Sequence, residues 1–200
     1  MITHPKPVKA GPLIVLMLCL LLAGMALVFY IGNILTAPRQ SEVDTPDGKL
    51  PFESIVIERD AATPLQGWFL QGERAAAMIL LHGIRSDRRE MLARAEFLHD
   101  AGYSVFMPDL QAHGATIGQR ITWGFRESRD VQTALSYIRQ RLAGQPVGII
   151  GVSMGGAACL LGDQPVTVDA LILESVYSNI EQDVENRLKL RLGKPGQWLT

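Results

Sequence analysis

The stretch Gly151-Val152-Ser153-Met154-Gly155-Gly156 constrains this chain more than any other. It follows an apolar run, Pro146-Val147-Gly148-Ile149-Ile150, and precedes Ala157-Ala158-Cys159-Leu160-Leu161. The pattern predicts a strand, a sharp turn with serine at its tip, and a helix. Small residues on both sides of the serine let strand and helix close up without steric conflict. The amides opening the helix lack intrahelical acceptors and point toward the serine, where they could hold an anionic oxygen. The same five residues also suit a plain glycine-rich turn, so the rest of the chain must decide.

Two hundred residues leave room for one domain beside a targeting segment, and a formal net charge of −1 gives no basic surface for nucleic acid. The two cysteines, Cys19 and Cys159, fall in no C-x-x-C or metal-ligand spacing. They read as small apolar residues rather than a disulfide framework or a zinc site.

Residues 10–38 carry no charged side chain, and the apolar core 13–35 would span roughly 34 Å as a helix, enough to cross a bilayer. Lys6 and Lys9 precede it, whereas Arg39 is outweighed by Glu42, Asp44 and Asp47 after it. The charge bias places residues 1–12 in the cytoplasm and everything after Arg39 on the other side. A cleaved signal peptide competes, because Gly24-Met25-Ala26 and Leu35-Thr36-Ala37 end in small residues. The run exceeds a usual signal core, which favours an uncleaved single-pass anchor with Tyr30 near its outer end. Residues 36–51, polar and with three prolines, read as a linker. The domain then occupies 52–200.

Within that domain, residues 53–58 and 65–70 read as an antiparallel hairpin. Residues 76–81 are continuously apolar, as in a strand buried on both faces of a parallel sheet. Asp87 with Glu90 three residues on suits a helix cap, with Met91, Leu92, Ala95, Phe97 and Leu98 as apolar positions before Gly102. A strand at 104–107 follows, then a helix near 125–142 with Val131, Leu135, Ile138 and Leu142 at helical spacing, then the strand into Ser153. One more strand, 168–173, and a charged helix, 180–192, close the pattern. Strands alternating with helices predict an α/β fold, a mostly parallel sheet with helices on both faces.

Ligands in such sheets bind at the carboxyl ends of strands. Three loops leave those ends, carrying His82-Gly83-Ile84, Asp109 through Thr116, and Ser153-Met154. Together with Glu127 and Asp130 opening the next helix, these motifs make residues 52–200 resemble the α/β-hydrolase superfamily. The nearest branch is serine aminopeptidase-like or BEM46-like, with an N-terminal membrane anchor. The loop from Asp109 is similar to that branch's D-x-R-G-x-G-x-S pattern, with Gln111-Ala112 in place of Arg-Gly.

The resemblance implies a serine hydrolase that cleaves an ester, thioester or amide through an acyl-enzyme on Ser153, without cofactor or metal. The backbone amides of Ile84 and Met154 would form the oxyanion hole. His82, Gly83, Gly151 and Gly155 would support the site structurally, with His113 ordering its loop and Asp109 forming its turn. The implied partners are a small-molecule or peptide-like acyl substrate and a membrane. The family's acid and histidine base lie beyond the next strands, and no histidine follows His113. Glu174 at a strand end is either an acid or a polar terminating residue. The sequence is therefore expected to be a fragment, or a truncated gene product, of a longer hydrolase. The rivals are a catalytically inactive membrane-tethered domain, and transferase or haloperoxidase-like chemistry at the same turn.

Overall fold

The computed structural model describes residues 10–46, 50–59, 63–177, 185–186, 188–190 and 193. It divides into two compact units, residues 1–37 and 38–200. The basic flank with Lys6 and Lys9, Asp47-Gly48 and the terminal stretch 194–200 lie outside the described residues. So does most of the charged helix expected at 180–192, which is helical at 185–186 and 188–190.

The first unit is one helix, α1 (Ala10–Thr36), long and apolar enough to cross a membrane. None of its most apolar window is buried by protein. Its polar side chains turn inward on its own backbone: Asn33 Nδ2 donates to the Phe29 carbonyl at 3.1 Å and Thr36 Oγ1 to that of Gly32 at 2.8 Å. Such internal satisfaction suits a surrounding without water.

Among the described residues, the second unit is built on eight strands and three helices that carry full element ranges. They run β1 (Arg39–Gln40), β2 (Glu53–Ile57), β3 (Leu65–Leu70), β4 (Ala77–Leu81), α2 (Leu92–Asp100), β5 (Ser104–Pro108), β6 (His113–Gly114), α3 (Glu127–Arg141), β7 (Val147–Val152), α4 (Met154–Leu160) and β8 (Ala170–Glu174). Six strands form one sheet in the order β2-β3-β5-β4-β7-β8. The β2/β3 hairpin and the β3/β5 pair are antiparallel, and β5, β4, β7 and β8 are parallel.

Alternation along the strands creates two cores. Ile79, Leu81, Phe106 and Ile149 pack with Val131, Ala134, Leu135 and Ile138 of α3 and with Met154 and Ala158 of α4. Met78, Leu80, Val105, Met107 and Ile150 face the other way, onto Met91, Ala95 and Leu98. Each fully buried Val, Leu, Ile, Phe or Met among them contributes about 1.5–3 kcal/mol. The chain steps from β4 through α2 to β5 on one side, then through α3 back across β4 to β7 on the other. Right-handed crossovers in opposite directions put α2 and α3 on opposite faces and leave a crevice beyond the carboxyl end of β4.

Local departures from the sequence reading have physical causes. Asp87 caps a 3-10 turn at Arg88–Met91, accepting from the Arg89 amide, but Glu90 does not complete a capping box. Its carboxylate accepts from the Gly83 amide at 2.7 Å instead. Phe97 lies 72% exposed because the inward stripe is Met91, Ala95 and Leu98, and position 97 falls on the outer face. The segment expected as a linker docks in part: Arg39 and Gln40 pair in parallel with His113 and Gly114, and Val43 packs on the α2-side core.

Candidate active site

Ser153 occupies the turn between β7 and α4 with φ 49° and ψ −112°. A serine in that left-handed region is strained by about 1–2 kcal/mol. It is held there from both sides: its amide donates to the Glu174 carbonyl on β8 at 2.8 Å, and its carbonyl accepts from Ala157 at 2.9 Å, opening α4. The neighbouring glycines are sterically obligatory. A methyl at Gly151 would stand 2.6 Å from the Gly156 backbone, and one at Gly155 would stand 2.7 Å from the carbonyl oxygens of Leu81 and His82. Thus α4 starts in direct backbone contact with both β7 and the end of β4.

The structure brings the loop after β4 beside this turn. A Cβ built on Gly83 would lie 3.7 Å from that of Ser153. Gly83 is fixed through its amide by Glu90, and the next residue, Ile84, packs against the α3-side core. The Met154 side chain is fully buried while its amide begins the helix, where no intrahelical acceptor exists.

Two fully buried histidines tie this loop to the one after β5. The Leu110 amide donates to His82 Nε2 at 3.0 Å, so that nitrogen is unprotonated and Nδ1 donates to the Gly83 carbonyl at 2.8 Å. In the opposite direction, the Arg85 amide donates to His113 Nε2 at 3.0 Å, and His113 Nδ1 donates to the Gln111 carbonyl at 2.9 Å. The rings lie 5.2 Å apart. Each loop thus lends a histidine to the other's backbone, and the left-handed Arg85 (φ 61°) is pinned immediately after Ile84. The sequence hinted at ordering roles for both residues, but the reciprocal bracing needed the fold.

Asp109 is fully buried and accepts from the Arg88 amide, Nε and Nη2 at 2.7, 3.0 and 2.8 Å and from the Ala115 amide at 2.7 Å. It closes its own loop and also clamps the loop after β4, through a buried arginine that the sequence did not single out. Where the family pattern has Arg-Gly, Gln111 Nε2 donates to the Arg120 carbonyl and to Glu127 Oε1, both at 3.0 Å. Ala112 takes the left-handed conformation (φ 60°) that a glycine would adopt without cost. Glu174 pairs with Arg94, so its carboxylate is engaged at the β8 end while its carbonyl holds Ser153. Among the described residues no cluster of three or more metal-ligating side chains occurs.

Burial holds the His82 imidazolium form well below its ordinary range, and burial, then its neighbour His82, lowers His113 to about 4. Both are neutral when folded. Because the unfolded chain binds protons near pH 6.5, stability is expected to be full above that pH and to fall as pH drops toward 4. For His113 alone the loss by pH 5 is about 2 kcal/mol. Urea unfolding midpoints at pH 7.5, 6 and 5 check this, and a flat profile would contradict the bracing.

A family model described as serine aminopeptidase S33 matches residues 72–198. The chain belongs to the serine aminopeptidase S33 family. This places it among the α/β hydrolases, and the solved structures agree. The Pyrococcus furiosus esterase Pf2001 superposes with a TM-score of 0.67 at 25% identity, over 82% of this chain and 65% of that one. A thermostable carboxyl esterase from Bacillus coagulans shares the fold alone, with a TM-score of 0.54 and 17% identity over 74% of this chain and 52% of that one. The uncharacterised protein YqkD of Bacillus subtilis (strain 168) is 26% identical over 128 residues, 59% of this S33-family chain and 42% of YqkD. The chain thus spans less than two thirds of the length of these relatives.

Proposed function

We propose that this chain carries the nucleophile and oxyanion half of a serine hydrolase that cleaves an ester, thioester or amide. The observation that carries the reading is the strained Ser153, held at the left-handed turn between β7 and α4 with Gly83 packed beside it. The Ser153 hydroxyl attacks the acyl carbon, forming an acyl-enzyme and expelling the alcohol, thiol or amine. Water then attacks, releasing the acid and restoring the serine. The amides of Ile84 and Met154 hold the oxyanion in both steps. His82 and His113 do not serve as the base, since both ring nitrogens of each are committed to backbone partners. The base of this reading is therefore neither of these two buried histidines. Glu174, paired with Arg94, acts as a strand-end anchor. Helix α1 is the membrane anchor of this hydrolase, on the BEM46-like plan, with the catalytic unit on the non-cytoplasmic side.

A second reading, a tethered domain without catalysis, draws on that same commitment of both histidines. Fluorophosphonate treatment of the native protein followed by peptide mass mapping separates the two. The enzyme reading expects the adduct on Ser153, and unmodified Ser153 under conditions that label a control esterase would overturn it.

A further inference from the structure

The first turn of α3 carries charges of both signs, and the fold sorts them by side. Its two acids point inward and are fully engaged. Glu127 accepts from the amides of Thr122 and Gly124, from Thr122 Oγ1 and from Gln111 Nε2. Asp130 accepts from the Gln111 amide and pairs with Arg59. Both acids are fully buried. What remains on the outside is cationic: Arg126 and Arg129, both exposed.

These two arginines sit three residues apart, where like charges repel. They also sit at the amino end of a helix, where its dipole disfavours cations. Neither makes an ion pair with a described carboxylate. They line a cleft of about 350 Å³ together with Arg59, Thr63, Gln111 and Gln119. Among the described residues lining that cleft, every ionisable side chain is a guanidinium. Arg59 is fixed in place by Asp130 and by its Nε donating to the Thr63 carbonyl at 3.1 Å. With the chain's net charge near zero, the convergence is local rather than a consequence of general basicity. A bound anion relieves each of these repulsions at once.

We propose that this cleft is a binding site for a phosphate group, with Arg126 and Arg129 as its ligands. Guanidinium forks match phosphate oxygens in pairs, and the Gln119 side chain adds an amide donor to the lining. The phosphate is either that of a soluble ester or that of a lipid headgroup. The site is separate from the Ser153 turn and does not depend on its chemistry.

The test uses the full chain in neutral detergent, with thermal unfolding followed against inorganic phosphate and against chloride at matched ionic strength. Phosphate is expected to raise the midpoint progressively and chloride to leave it unchanged. In Arg126→Gln/Arg129→Gln the apparent phosphate affinity is expected to fall on the order of 10-fold or more. The midpoint of this variant in phosphate-free buffer should equal or exceed wild type, because the repulsion is gone. Mixed micelles with phosphatidylglycerol or phosphatidylcholine then distinguish the sources: stabilisation by the lipid beyond that by equimolar glycerol 3-phosphate assigns a headgroup, and equal stabilisation assigns a soluble ester. Phosphate stabilising variant and wild type alike, or stabilising neither, overturns the proposal. So does a variant less stable than wild type without phosphate, which would make the arginines structural.

Discussion

Ser153→Ala is expected to abolish fluorophosphonate labelling and to lower hydrolysis of a simple ester by on the order of 10⁵-fold, leaving only the residual rate from oxyanion donors and binding. The substitution removes one oxygen atom and nothing that the fold uses, since Ser153 is held through its backbone amide and carbonyl. Urea unfolding should therefore be nearly unchanged. Ser153→Gly should be as inactive yet more stable by about 1 kcal/mol, because glycine adopts φ 49° without the clash that serine bears. A pair of variants equal in inactivity and ordered in stability as glycine above alanine would show strain maintained at the residue that does the chemistry. An alanine variant that keeps its activity would remove Ser153 from the mechanism.

Gly155→Ala is expected to cost about 3 kcal/mol or more and to impair whatever activity survives. The added methyl would meet the Leu81 and His82 carbonyl oxygens at 2.7 Å, and these belong to backbone at the end of a central strand that cannot yield. Helix α4 must move outward, carrying the Met154 amide away from the loop of Gly83 and Ile84. Denaturant unfolding gives the first effect, and kcat, more than KM, gives the second if that amide stabilises the transition state. Gly144→Ala is the control, with positive φ but open space around its Cβ position. It should show only the smaller cost of an alanine in a left-handed conformation, about 1–2 kcal/mol. Equal effects at the two positions would contradict the packing argument.

Much of this architecture was legible because the sequence carries it locally. Continuous apolarity at 77–81 marks a strand covered on both faces, Val131, Leu135 and Ile138 at helical spacing mark the buried side of α3, and Gly102 with φ 89° ends α2. The three loops at the carboxyl ends of β4, β5 and β7 were legible for the same reason. What eluded the sequence depends on contacts between residues distant in the chain. Glu90 pairs with Gly83 rather than with its own helix cap, Arg88 is buried against Asp109, and residues 39–40 leave a proline-flanked segment to pair with β6. None has a local signature, because the partner lies from 7 to more than 70 residues away.

By itself, then, the sequence determined the alternation of strands and helices, the apolar helix ahead of them and the serine at a turn that only small neighbours permit. Those follow from backbone sterics and apolar periodicity, which act over a few residues. The tertiary structure decided that β7 lies beside β4, that Gly83 stands against Ser153, and that His82 and His113 are spent on holding two loops together. Those are settled by the order of strands in the sheet and by the requirement that each buried polar group find a partner, wherever in the chain that partner lies.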